Sequence, residues 1–190
     1  MRNYINKLKK GKQLLFVDRE VDPLHELAAV TKKVQLQGDE AIQFNKVKGT
    51  DFPVVTNLYG SRRRLCELID APLDGFCKTW SGIINSSQSL ATEPTRLVDA
   101  APDRVEGKLG DLPLITYHEK DAGPYFTSAI FLAKDPDSGV PNLSFHRSMY
   151  VSDDELRIRL GSSHDMAKYQ LRAEEKGEAM EVALLIGVDP

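Results

Sequence analysis

The run PNLSFHRSMY, Pro141 to Tyr150, gathers an amide (Asn142), a hydroxyl (Ser144), an imidazole (His146) and a guanidinium (Arg147). A second imidazole, His164, follows in LGSSHDM. Amide oxygen and imidazole nitrogen are acceptable ligands for a hard or borderline divalent cation, and a guanidinium clamps a carboxylate through paired N–H donors. In an extended strand Asn142, Ser144 and His146 fall on one face and Leu143, Phe145 and Arg147 on the other, unless a bulge re-aims one of them. Two neutral ligands are too few for a metal without a carboxylate or a ligand phosphate, so on spacing alone an ordinary polar strand face competes with a metal site. His164 precedes a predicted helix, where Ser162 or Ser163 can cap and unpaired backbone N–H groups favour an anion; a plain surface cap is the competing reading. Arg62, Arg63 and Arg64, at the start of another predicted helix, read as an anion site or a solvated face.

Elements must position these groups. LPLITYH, YFTSAIFLAKD, PNLSFHRSMYVS and ELRIRLG are β-rich runs, and Asp135-Pro-Asp-Ser-Gly139 is a hairpin signal between two of them. HDMAKYQLRAEEKG reads as a helix with Met166, Tyr169 and Leu171 partly inward and Gly177 as its stop, and EVALLIGVDP as a buried strand. The first half alternates helix and strand. A short helix around Tyr4, Ile5 and Leu8 ends at Gly11, LLFVDREV is a strand, and Asp22-Pro23 opens a helix with Leu24, Leu27, Ala28, Val30 and Val34 at helical spacing. Strands AIQFNKV and FPVVTNLYG follow, then the helix SRRRLCELID capped by Ser61. The stretch 86–110, rich in Pro, Ser, Thr and Asp, reads as a linker or long surface loop. The expected division is an α/β domain over 1–105 and a β-rich domain over 106–190.

The 190 residues carry a formal charge of −3, with 41% hydrophobic and 28% charged residues. That balance gives no general attraction to nucleic acid or anionic membrane, and no run approaches the roughly 18 apolar residues a membrane span needs. Cys66 and Cys77 form no CxxC pair and are expected as buried thiols in a reducing, cytoplasmic setting. Nucleotide-loop, dinucleotide-loop, hydrolase-elbow and zinc-protease motifs are missing, His25-Glu26 being followed by Leu-Ala-Ala. The apolar run VALLIGV normally leads into more fold, so further strands, a partner chain or self-association are expected to cover the sheet edges.

In order along the chain, REVDPLHELAAVT, NKVKGTDFPVVTNLYGSRRR, GPYFTSAIFLAKDPDSG, NLSFHR and HDMAKYQLRAEEKGEAMEVALLIGVDP resemble the N-terminal part of the UbiD family of reversible (de)carboxylases. The resemblance implies an α/β fold class, an N-terminal α/β domain followed by the first part of a flavin-reductase-like split β-barrel. It also implies prenylated FMN, Mn²⁺ and K⁺ as cofactors and a flavin prenyltransferase to supply the flavin. Asn142-Leu-Ser144-Phe-His-Arg147 matches the family pattern N-x-[SG]-x-x-R. By that match Asn142 ligates the metal, and His164 falls where the resemblance implies a second metal ligand. Thr127, Ser144, Phe145, His146, Arg147, Ser163 and His164 hold or line the cofactor, and Arg147 is catalytic through the substrate carboxylate. The implied reaction is non-oxidative decarboxylation of an aromatic or α,β-unsaturated (acrylic) acid by a homo-oligomer. In the family a third metal ligand and two further working glutamates lie beyond the position of Pro190, and Glu174, Glu175, Glu178 and Glu181 do not match them. The chain alone is therefore expected to be inactive. A short non-catalytic subunit that assembles with a glutamate-bearing chain, and a simple FMN-binding protein, are the other readings.

Overall fold

Two parallel strands joined through a helix organise the first half of the chain. A computed structural model describes residues 1–87 and 106–188. Helix α1 (Arg2–Lys10) buries Tyr4 and Leu8, one turn apart, and places Lys7, Lys9 and Lys10 in its last turn, where cations meet the negative end of the helix dipole. Strand β1 (Leu14–Val21) pairs in parallel with β2 (Ala41–Val47) across helix α2 (Glu26–Gln37), and β3 (Val54–Thr56) adds antiparallel to β2. Val21, Leu27, Ile42 and Phe44 are completely shielded and share a core with Val47 and Ile115. Burying each such side chain contributes roughly 1.5–3 kcal/mol.

Helix α2 starts at Glu26, later than Asp22-Pro23 led us to expect. The Asp22 carboxylate accepts the Leu24 N–H (2.8 Å), Leu24 forms a β-bridge with Thr116, and His25 takes φ 66°, so the chain is committed to a turn and a bridge before it can coil. Ser61 caps helix α3 (Arg62–Leu68) by accepting the Arg64 N–H. Arg64 itself is neither solvated nor an anion site. It is 2% exposed and donates to the carbonyls of Leu58 (3.1 Å), Asn57 (2.9 Å) and Asp39, binding together the turns on either side of β2 and β3. Cys66 is buried as expected, whereas Cys77, on helix α4 (Phe76–Ser87), is exposed. Residues 88–105 of the expected linker lie outside the described residues.

LPLITYH is extended but not a strand, its one ladder contact among the described residues being the Leu24–Thr116 bridge. Leu112 and Leu114 pack in one core, with Phe126 and Met166, while Ile115 and Tyr117 pack in the other, with Ile42 and Phe44. Beyond it lie β4 (Tyr125–Phe126), β5 (Ile130–Lys134), β6 (Pro141–Phe145), β7 (Ser148–Ser152), β8 (Glu155–Ile158) and β9 (Val182–Leu185). They form two antiparallel three-stranded sheets ordered β4-β7-β8 and β6-β5-β9. YFTSAIFLAKD and PNLSFHRSMYVS, each expected as one strand, are both broken, and the halves of each belong to different sheets. Helix α5 (Asp165–Lys176) buries Met166, Tyr169 and Ala173 at helical spacing and ends on Gly177 in the left-handed region. Leu171 falls off that stripe and is exposed, contrary to expectation.

Helix α5 is pinned to the β5–β6 turn by charge. Arg172 pairs with the Asp135 carboxylate, Lys176 with Asp137 (2.6 Å), and the Asp137 N–H and Ser138 hydroxyl also donate to Asp135. The Arg172 guanidinium, then the Asp137 N–H, hold the Asp135 carboxyl down at about 2. A carboxyl depressed in the folded state contributes stability above its unfolded value near 3.9, and that contribution disappears as pH falls through about 2. Asp135→Asn is therefore expected to lower Tm at neutral pH and to flatten the fall in Tm between about pH 4 and pH 2, followed by circular dichroism. A variant with the wild-type Tm and acid slope would contradict this role for the pair.

Candidate functional site

Strand β6 separates the predicted site residues by its pleat. Register with β5 sets Asn142 opposite Ala133 and Ser144 opposite Phe131 on one face, with Leu143 opposite Leu132 and Phe145 opposite Ile130 on the other. Leu143 and Phe145 are 62% and 72% exposed. The opposite face looks toward α5: Ser144 Oγ lies 2.9 Å from His146 Nε2 and 3.9 Å from the Met166 sulfur. His146 is buried, edge-on to Phe131 with ring centroids 5.5 Å apart, and its ring centre also lies 5.5 Å from that of His164. Burial lowers the pKa of His146 below the ordinary imidazole value and the neighbouring His164 lowers it further, so the neutral ring is favoured.

His164, not Ser162 or Ser163, is the N-cap residue of α5, and its side chain makes no capping bond. Its ring is exposed and lies against the backbone at Gly161, where an added Cβ would come within 3.3 Å of the imidazole. Ser163 is exposed in the same turn.

Arg147 leaves this cluster. Its guanidinium sits over the ring of Tyr125, 5.1 Å from the centroid, a cation–π contact. Thr127 shares a 2.9 Å hydrogen bond with the Tyr117 hydroxyl, whose pKa burial raises. Tyr117, Tyr125, Thr127 and Phe145 all line a cleft of about 1620 Å³ that also borders α1, α2 and β3. The predicted residues thus divide into two sets. Asn142, Ser144 and His146 share the α5 side of β6, with His164 beside His146; Thr127 and Phe145 face the cleft, and Arg147 lies over the ring of Tyr125, which also lines it.

Tyr117, Tyr125 and Met166 were not singled out as site residues. Nothing in their spacing marks them, because each meets its partner through a break or a turn in the chain. Among the described residues no group of three His, Cys, Asp or Glu side chains could hold a metal. The predicted site residues on the α5 side offer no anionic ligand: an amide, a hydroxyl and two imidazoles. Such a set fits a divalent ion that brings an anionic oxygen ligand of its own, such as a phosphate.

Comparison with known proteins meets this geometry from outside. Residues 93–190 match the family model of the 3-octaprenyl-4-hydroxybenzoate carboxy-lyase Rift-related domain, and residues 5–81 match that of the N-terminal domain of the same carboxy-lyase. The UbiD-class enzyme HmfF of Pelotomaculum thermopropionicum, in an evolved dimeric form in complex with prFMN, is 36% identical with a TM-score of 0.86, covering 98% of this chain and 44% of its own. Vanillic acid decarboxylase of Sedimentibacter hydroxybenzoicus is 25% identical with a TM-score of 0.84, over 98% of this chain and 42% of that one. Anhydromevalonate phosphate decarboxylase of Methanothermobacter thermautotrophicus is 30% identical over 100% of this chain and 43% of its own length. The chain therefore spans less than half the length of these relatives. The mixed α/β architecture expected from the sequence agrees with these folds, and the chain belongs to the UbiD family of decarboxylases.

Proposed function

We propose that this chain forms the cofactor-binding part of a prenylated-FMN-dependent, non-oxidative decarboxylase of an aromatic or α,β-unsaturated carboxylic acid. The observation that carries this reading is the division of the N-x-S-x-x-R run at the end of β6. Its amide, hydroxyl and first imidazole look toward α5 near His164, while its guanidinium leaves that side to stack over Tyr125, a residue of the cleft lining. A flavin needs two such environments, one for a charged phosphate end and one for a reactive ring and its substrate. The relative in complex with prFMN supports the choice of cofactor.

At the phosphate end Asn142 and His164 would hold Mn²⁺ through an amide oxygen and an imidazole nitrogen, and Ser144 and Ser163 would offer hydroxyls to phosphate oxygens. Mixed oxygen and nitrogen ligation is within the range of Mn²⁺, and phosphate, with K⁺ as a further counter-charge, supplies what neutral ligands lack. At the ring end Thr127 and Phe145 would line the flavin. Arg147, steadied over Tyr125, would take the substrate carboxylate in a two-pronged hydrogen bond. Prenylated FMN, when bound, supplies the electron sink for loss of CO₂. A flavin prenyltransferase would provide it, and a homo-oligomer would cover exposed apolar residues such as Val140 and Leu143. The division at 105/106 would separate this cofactor domain from the α/β domain.

Within that substrate class the cleft favours an acid that carries a second anion. Arg2, Lys9, Lys32 and Lys120 line it against one carboxylate, Glu119. The anhydromevalonate phosphate decarboxylase relative supports the same choice.

Flavin retention tests the metal ligands. Asn142→Ala and His164→Ala are each expected to weaken Mn²⁺-dependent FMN binding by the 190-residue chain about 10–100-fold, read by flavin fluorescence and metal analysis. Wild-type binding in both variants would remove the assignment.

Arg147→Lys keeps the charge and loses the fork. It is expected to weaken cinnamate binding to the flavin-loaded protein about tenfold at unchanged flavin content, by absorbance titration. Equal affinity in variant and wild type would free Arg147 of this role, and flavin binding with no affinity for unsaturated acids would favour the plain FMN-binding alternative.

A further inference from the structure

His146 is an unusual residue for its place. It is buried, edge-on to Phe131 on the packed side of the sheet, where an aliphatic side chain would fill the space without enclosing a polar ring. Two contacts distinguish it from a filler. Its Nε2 is 2.9 Å from the Ser144 hydroxyl, and its ring stands 5.5 Å, centre to centre, from that of His164.

We infer that His146 is a positioning residue: it holds the Ser144 hydroxyl and confines the His164 ring, and so prearranges the groups that meet the metal and the phosphate. This rests on the reading of His164 as a metal ligand. His164 needs such support, because its ring is exposed and makes no capping bond. The Gly161 backbone limits it on one side, with ring atoms 3.3–3.6 Å from where a Cβ would stand, and the His146 ring lies beside it, 5.5 Å away between centroids. An exposed imidazole confined in this way loses less rotamer freedom when it binds an ion. Ser144 is oriented by the same contact. Its other neighbour is the Met166 sulfur at 3.9 Å, a weak acceptor, so the remaining capacity of the hydroxyl is available to a phosphate oxygen. His146 is not itself offered as a ligand, since its Nε2 is already engaged by Ser144.

The test uses Mn²⁺ with FMN as probe on the 190-residue chain, comparing wild type, His164→Ala, His146→Leu and His146→Gln by calorimetry and by the Mn²⁺ electron-spin resonance signal. His146→Leu keeps bulk and removes the ring nitrogen, and is expected to weaken Mn²⁺ binding about 10–100-fold, as loss of groups that orient metal ligands does. His146→Gln returns a polar group, an amide N–H or oxygen, toward Ser144 and is expected to recover most of that loss. His164→Ala weakened with His146→Leu unchanged would overturn this inference and leave the ligand assignment standing; His164→Ala unchanged would remove both. Equal losses in the two His146 variants would mark a packing role and also overturn it. A measurement on the wild type alone guards against variants that fail to fold. Nuclear Overhauser contacts between the ring protons of His146 and His164 are expected before any metal is added, and their absence would contradict the inference.

Discussion

Strand β6 presents two different faces because its side chains alternate and because it stops where it does. Alternation sends Asn142 and Ser144 toward α5 and Leu143 and Phe145 to the opposite side. After His146 the chain crosses to the other sheet, so Arg147 is set over Tyr125 and not beside Ser144. The corner is tied down at several points. The His146 N–H donates to Ala129 O (3.4 Å), the completely buried Ser148 hydroxyl to His146 O (3.3 Å), and the Tyr150 N–H to Pro124 O (3.0 Å). A one-residue slip of β6 would exchange its two faces and undo the whole arrangement.

The surroundings hold that corner in place. Met166 on α5 packs with Phe126, from one sheet, and Phe131, from the other, while Arg172 and Lys176 on the same helix anchor the turn that starts β6. His164 stands at the N-terminal boundary of this helix, so the contacts that fix α5 also fix the distance between the two imidazoles. The extended stretch from Leu112 to Tyr117 links this core to that of the α/β half, with side chains in both. The cleft beside β6 is bounded by elements from both halves, and Leu112, Ile115 and Tyr117 of that stretch are among its lining.

Much of this was legible in the sequence where one local rule decided the outcome. Strands β1 and β2, the Asp135 to Gly139 turn and the α5 stripe through Met166 and Tyr169 all follow from periodicity and turn chemistry. The face shared by Asn142, Ser144 and His146 follows from strand alternation alone. Rules failed where distant parts of the chain compete. Leu112, Leu114 and Ile115 look like strand residues, but they belong to two different cores. Pro23 marks a helix start, yet Thr116, far along the chain, captures Leu24 first. Arg64 belongs to a run of three like charges and is nonetheless buried, because three carbonyls converge on it. The contacts of Tyr117 with Thr127 and of Tyr125 with Arg147 had no local signal at all.

The most direct measurement is a crystal structure of the chain grown with FMN and Mn²⁺, with diffraction recorded across the manganese absorption edge. An anomalous peak is expected within bonding distance of the Asn142 amide oxygen and a His164 ring nitrogen, with the flavin phosphate beside Ser144 and the ring system toward Thr127. Manganese at carboxylates elsewhere, or a flavin whose phosphate lies in the cleft away from β6, would contradict it.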